Sequence, residues 1–286
     1  MATVELLQNA LGNTFADRVY CYGSVSRTLT LREARVVQQR PLCDLSQLQP
    51  HPTILLHLAF LTKERAETMD EATYRRANDE IGQTVLDALD PMGVTGIFVA
   101  SSGAARHADD TTAPHALKLY GLLKRNDESR FKAWAETKRK TAVIARIFNL
   151  SGPYINKHQA YALAAFINDA LAARTVKVNA PFPVTRSFVA IRELMSLVFS
   201  LILEDRQSVI SFDTGGVPLE LGDVARLVAE ILEAGGAERA AITSDEANRY
   251  VGDGQSYRKL LVSQGIEAVS MEQQILETAD FLSRTS

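Results

Sequence analysis

Tyr120 and Lys124 stand four positions apart in the run Tyr-Gly-Leu-Leu-Lys. On a helix that spacing puts both side chains on one face, a turn apart. An ammonium beside a phenol favours the phenolate and draws its pKa down from ~10 towards neutrality. Tyr120 is therefore a candidate general acid and base. An isolated Tyr-x-x-x-Lys is as readily a surface pair on an amphipathic helix, so its context decides. Ser101-Ser102-Gly103 directly follows the apolar run 96–100, with Ser102 18 residues before Tyr120. In open parallel sheets ligands bind outside the carboxyl ends of the strands. A serine hydroxyl placed there can hydrogen-bond the same oxygen whose proton Tyr120 moves. His107 and His115 flank the stretch, and Asp109-Asp110 lies between them. Loop residues of these types are commonly solvated, and no Cys/His cluster has metal-ligand spacing.

The elements that must hold these groups show as short apolar runs alternating with longer helical patterns. Runs 18–22, 53–58, 96–100 and 141–148 are β-prone and apolar on both faces, as buried parallel strands are. Between them, Glu71–Leu89 carries Ile81, Val85 and Leu89 at helical spacing, and His115–Lys138 is rich in Leu, Lys, Arg and Glu. This order predicts an α/β fold built on a parallel sheet. Past residue 150 the pattern turns helix-rich. Segments 161–173, 191–204, 219–234 and 271–284 are separated by strand-like pieces at 186–190 and 209–212. The expected organisation is a domain over 1–150 and a smaller region over 151–286, with some segments of the latter returning to the sheet.

In that order and spacing, the motifs resemble the extended short-chain dehydrogenase/reductase family, in its NAD-dependent epimerase/dehydratase group acting on nucleotide sugars. Leu56-His57-Leu58-Ala59 is similar to the family's fourth strand, whose end touches the cofactor. Asn78 with Gly82 resembles the opening of the next helix, and Phe98-Val99-Ala100-Ser101-Ser102 the fifth strand and serine turn. Tyr120-Gly121, Lys124 and Glu128 resemble the catalytic helix. The run from Arg146 through Asn149 to Gly152-Pro153 resembles the sixth strand and substrate loop, and Arg186-Ser-Phe188-Val189 the segment whose Arg contacts the diphosphate. The resemblance implies a Rossmann-like doubly wound sheet, with dinucleotide bound by 1–150 and substrate by 151–286. It implies Tyr120 as acid/base, Lys124 as holder of the nicotinamide ribose and Ser102 as the group orienting the sugar oxygen. Asp44, Leu58, Ala59 and Asn78 would line the cofactor, NAD or NADP. Asn149 and Arg186 would meet the substrate, a guanidinium fork suiting two phosphate oxygens at once. It also implies a homodimer through helices 71–89 and 116–138, where Leu122 and Trp134 are expected to be exposed.

The sequence departs from the family pattern at the start. No Gly-x-x-Gly-x-x-Gly run is present: Gly12 and Gly23 stand alone, and Gly215-Gly216 falls late. Residues 2–11 resemble the helix that follows that loop, so the chain is expected to begin inside the first βαβ unit. A start placed too far downstream is the plainer explanation, and loss of conventional cofactor binding the other. That loop brings backbone N–H groups and a helix N-terminus to the pyrophosphate. Without it the sheet is expected to lack a central member, and dinucleotide to be held weakly. After the second strand, Gly23-Ser24 and then Arg27 stand where an acid would bind the ribose of NAD, a weak pointer to NADP.

Composition limits the alternatives. The 286 residues carry 31 Lys+Arg against 34 Asp+Glu, a net charge of −3, with 46% apolar residues. There is no basic footprint for nucleic acid, and no run approaches the ~20 apolar residues that span a bilayer. The two cysteines, Cys21 and Cys43, read as reduced thiols, which with no evident signal peptide gives a cytoplasmic expectation. The function expected is an NAD(P)-dependent epimerase or ketoreductase of a nucleotide sugar. The alternatives are a non-catalytic nucleotide-sugar-binding or scaffold relative, and a reductase of a non-sugar carbonyl.

Overall fold

A computed structural model describes residues 1–155, 158 and 161–284. In chain order the strands are β1 (Cys21–Gly23), β2 (Arg27–Thr30), β3 (Val36–Pro41), β4 (Thr53–His57), β5 (Val94–Ser102), β6 (Thr141–Ile147), β7 (Leu150–Ser151), β8 (Val176–Val178), β9 (Val184–Arg186), β10 (Val189–Ala190), β11 (Val209–Asp213), β12 (Leu219–Glu220), β13 (Ala237–Arg239) and β14 (Asn248–Tyr250). The helices are α1 (Ala2–Leu11), α2 (Phe15–Arg18), α3 (Lys63–Thr68), α4 (Glu71–Leu89), α5 (His115–Lys138), α6 (Ala162–Leu171), α7 (Ile191–Leu203), α8 (Leu221–Ile231), α9 (Gly254–Ser263) and α10 (Met271–Ser283). The backbone divides into two units. Apart from the first two residues, one comprises Thr3–Ile147 with Val198–Phe212, and the other Phe148–Leu197 with Asp213–Ser286.

The first unit is an α/β structure with a parallel sheet in the order β11-β6-β5-β4. Its central strand β5 pairs in parallel with β4, His57 opposite Val99, and with β6, Ser102 opposite Ile147. Ile97, Val99, Ala142 and Ile144 pack with Val85, Leu89, Phe131 and Ala135 of α4 and α5. Strands covered in this way are apolar throughout, which is why they stand out in the sequence. Asp70 caps α4, its carboxylate accepting from the N–H groups of Ala72 and Thr73, the usual way an N-terminal helix donor is satisfied. A second, three-stranded sheet has the order β1-β3-β2, β1 parallel and β2 antiparallel to β3. Among the described residues β1 and β4 are each the edge of their sheet.

Trp134 is not exposed as expected: it is buried in this core, and its indole N–H donates to Asp90 Oδ1 at 2.9 Å. The reason is its phase on α5, which puts it on the same side as Phe131 and Ala135 rather than beside the half-buried Leu122. The second unit centres on Leu163, Ile167, Val176, Val224, Val228 and Ile275, from α6, β8, α8 and α10. The strand-like stretch 186–190 is two short strands, β9 and β10, in different sheets. Helix α9, which no expectation included, packs Tyr257 and Leu261 inward.

Candidate active site

The carboxyl end of β5 and the first half of α5 are pressed together. A side chain at position 121 would collide with the carbonyl oxygen of Ala104, so Gly121 is what lets the helix lie on the serine turn. Ser102 ends β5 and caps the following 3-10 turn Gly103–His107, its Oγ accepting from the N–H of Ala104 at 3.2 Å. One helical step from Gly121, Tyr120 is half-buried, with its ring edge-on to Phe60 at 5.7 Å between centroids.

Lys124, only 6% exposed, donates from Nζ to the carbonyl oxygen of Ala100 at 2.7 Å. Its ammonium lies 3.8 Å from the centroid of the Phe60 ring and 6.0 Å from that of Tyr120. Burial pulls its pKa down to about 8, and the carboxylates of Asp127 and Glu128 work against that fall. The first unit thus places Ser102 at the carboxyl end of β5, and Tyr120 and Lys124 on the stretch of α5 packed against that end. The grouping can exchange a proton with a substrate oxygen and hold a hydroxyl-bearing ligand on a cation.

Behind these groups lies a buried polar layer. Glu128 accepts from Arg146 through both oxygens, at 2.9 and 2.7 Å, and from the hydroxyl of Ser101. Asp127 contacts His57 Nε2 at 3.3 Å and Arg130 at 3.3 Å, and Arg130 reaches Asp79 on α4 at 2.8 Å. The Nδ1 atom of His57 is buried without a hydrogen-bond partner among the described residues. Sequence reasoning left His57, Asp127 and Phe60 without a role. Phe60 directly follows the quoted Leu58-Ala59, which was the signal available.

The other expected cofactor residues are placed as follows. Leu58 and Ala59 lie just past β4, Leu58 half in solvent at 51% exposure and Ala59 half-buried. Asn78 has both ends of its amide on the chain: Oδ1 accepts from the N–H of Leu61 at 2.8 Å, and Nδ2 donates to the carbonyl of Tyr74 at 3.1 Å. Its observed work is to hold the strap after β4. Asp44 sits in the 3-10 turn Leu42–Gln47, accepts from Gln47 at 3.2 Å and lines a cavity of about 620 Å³ with Tyr20, Tyr22, Arg40 and His51.

Asn149 and Arg186 belong to the second unit. Asn149 Nδ2 donates to the carbonyls of Ser187 (3.0 Å) and Tyr250 (3.4 Å). Arg186, between β12 and β14, donates from Nη1 to the carbonyls of Thr185 and Asn248 at 2.9 and 3.1 Å. Burial pushes its guanidinium pKa down. The guanidinium is half-buried against these two carbonyls.

The donor set suits the nicotinamide half of a dinucleotide: a buried cationic donor beside a phenol, at the carboxyl end of a parallel sheet. The chain belongs to the NAD dependent epimerase/dehydratase family, whose pattern it matches over residues 9–211. Among solved structures it is similar to MoeE5 in complex with UDP-glucose and NAD, at 16% identity and a TM-score of 0.73, covering 99% of this chain and 95% of that one. It is also similar to the UDP-glucose 4-epimerase of Thermotoga maritima with UDP-glucose, at 17% identity and a TM-score of 0.71, again over 99% and 95%. At such identities the likeness defines the fold. A dTDP-L-rhamnose 4-epimerase of Burkholderia thailandensis is 26% identical over 123 residues, 42% of this chain. The match spans 34% of that relative's length. No helix among the described residues is long and apolar enough to cross a membrane.

Proposed function

We propose that the chain carries the acid–base half of a hydride-transfer reaction at a secondary alcohol or ketone of a nucleotide sugar, as an epimerase or a ketoreductase. The observation that carries this is the enclosure of Lys124 one turn from Tyr120, with the Ser102 turn seated on the intervening Gly121. In this reading the Tyr120 oxygen takes the proton of the sugar hydroxyl during oxidation and returns it during reduction. The Lys124 ammonium stabilises the phenolate and would hold the nicotinamide ribose. The Ser102 hydroxyl orients the sugar oxygen. A bound nicotinamide, NAD or NADP, supplies the hydride acceptor and donor. Arg186 of the second unit is proposed to receive a diphosphate oxygen. The uridine sugars and NAD named for the structural neighbours support this ligand class, and the thymidine-sugar relative supports the reaction class.

The test is to incubate the chain with NAD and with NADP, each against UDP-glucose, UDP-N-acetylglucosamine and dTDP-rhamnose, following the sugar ring protons by NMR. A C4-epimeric product that disappears in Tyr120→Phe is expected. Turnover that survives Tyr120→Phe would reject the assignment.

A second reading, a nucleotide-sugar-binding relative without turnover, is favoured by one observation: the 286 residues contain no glycine-rich phosphate loop. It expects saturable binding of the nucleotide sugar, lost in Arg186→Met, with no product under any cofactor.

A further inference from the structure

Three groups bound the Lys124 ammonium: the Ala100 carbonyl at 2.7 Å, the face of Phe60 at 3.8 Å and, more distantly, the ring of Tyr120. Ala100 is held in β5, paired with Ala145 of β6 and directly following Val99, the last residue of β5 paired with β4. Phe60 differs on two counts. It stands in the loop between β4 and α3, and it is partly open to solvent. A hydrogen bond from Lys124 to a ligand hydroxyl needs ~2.7–3.2 Å between heavy atoms, and a ring resting on the ammonium occupies that approach.

The backbone around Phe60 is anchored. The next residue, Leu61, has its N–H held by Asn78 at 2.8 Å and its carbonyl held by the Tyr74 hydroxyl at 2.7 Å. Phe60 also packs on the small cluster of Tyr74, Leu119 and Leu123. With the strap pinned one residue away, the ring can leave Lys124 by turning about its own side-chain torsions, a fast motion between staggered wells. The cost is the cation–π contact with Lys124, the edge contact with Tyr120 and part of the packing on Tyr74, Leu119 and Leu123.

We propose that Phe60 gates this site: its ring covers the Lys124 ammonium, and a ribose diol reaches Lys124 only by turning the ring aside. The inference rests on the reading of Lys124 as the holder of the nicotinamide ribose. Because only the fraction of molecules with the ring turned away is competent, apparent affinity is reduced by that fraction. Asn78 and Tyr74 are then positioning residues, setting where the ring rests.

The test separates the cover from the ligand. Intact protein is labelled with trace acetic anhydride in the absence of dinucleotide, and the acetylation of Lys124 is read by peptide mass spectrometry against the exposed Lys132. Phe60→Ala is expected to raise the relative reactivity of Lys124 by at least about tenfold and to tighten NAD binding by about fivefold in calorimetry. If Phe60→Ala loses its circular dichroism spectrum, Phe60→Leu carries the test, with a rise of about threefold expected. Unchanged reactivity in a folded variant overturns the proposal. So does raised reactivity with equal or weaker NAD binding, since the ring would then be packing rather than a gate. Raised reactivity with NAD bound by neither chain upholds the cover. The nicotinamide reading of Lys124 is then rejected if millimolar nicotinamide mononucleotide, which carries the ribose without the dinucleotide's second half, fails to protect Lys124 of the Phe60→Ala chain from acetylation, so the two failures are told apart.

Discussion

A buried ammonium persists only where its charge is met, and Lys124 is met by a carbonyl, an aromatic face and the field of two carboxylates. Burial brings its pKa from 10.5 to about 8. Between those values the unfolded chain holds a proton that the folded chain has released, so the contribution of Lys124 to stability improves as pH rises through the window and is least favourable below it. Wild type is therefore expected to gain stability relative to Lys124→Met between about pH 7 and about pH 10, measured by urea unfolding. A difference that stays flat would mean that Lys124 keeps an ordinary pKa. For the proposed chemistry the sign is opposite: above about pH 8 Lys124 loses its proton, and the proposed stabilisation of a phenolate by its ammonium is expected to go with it. Tyr120→Phe is expected to lower turnover by about 10²–10⁴-fold with an unchanged circular dichroism spectrum.

Helix α5 carries the site because it is fastened at several points to the strands beside it. Gly121 seats it on the serine turn, and Glu128 ties it to both Arg146 of β6 and Ser101 of β5. Asp127 ties it to His57 at the end of β4. Gly121→Ala puts a methyl against a backbone oxygen and is expected to destabilise by about 1–3 kcal/mol. The strained turn should also shift Ser102, so turnover should fall further than the loss of folded protein explains, as measured by rate per folded molecule. Glu128→Gln loses a charge-assisted pair and is expected to lower stability by about 2 kcal/mol in denaturant melts. An unaltered midpoint would show that the Arg146 contact contributes nothing net.

At the scale of the whole molecule, the proposed acid–base site stands in a sequence with no Gly-x-x-Gly-x-x-Gly run, the feature that usually cradles a dinucleotide's diphosphate. A glycine run of that kind supplies several charge-assisted hydrogen bonds at ~1.5–3 kcal/mol each. NAD and NADP are accordingly expected to bind with dissociation constants above about 100 µM, with calorimetry as the measurement. Micromolar binding would show that this chain holds the diphosphate by other means. Pairing of two copies through α4 and α5 remains a proposal. With Trp134 turned into the core, it falls to Leu122 and the polar faces of both helices. Light scattering at twice the chain mass is expected, and a single-chain mass at micromolar concentration would reject the pairing.

The sequence by itself determined the order of the main elements of the parallel sheet and pointed to the candidate site. Three of the four runs read as apolar on both faces are strands of the parallel sheet, while 18–22 yields only the half-buried β1, and α4 and α5 follow from their composition and periodicity. Ser102, Tyr120 and Lys124 were candidates from spacing, with their roles implied by the family resemblance. Short strands with mixed faces were less legible. The stretch 186–190 hid two strands in two sheets, because two or three residues are too few to show a period of two. What only the tertiary structure decided is what each side chain meets. Nothing local in Asn78 says that its amide is committed to Leu61 and Tyr74, and nothing in Trp134 says which side of α5 faces the core. Phe60, three residues ahead of α3 in chain terms, comes to rest on an amine 64 residues later. Such pairings are set by how helices and strands pack across long sequence separations, and local pattern carries no record of them.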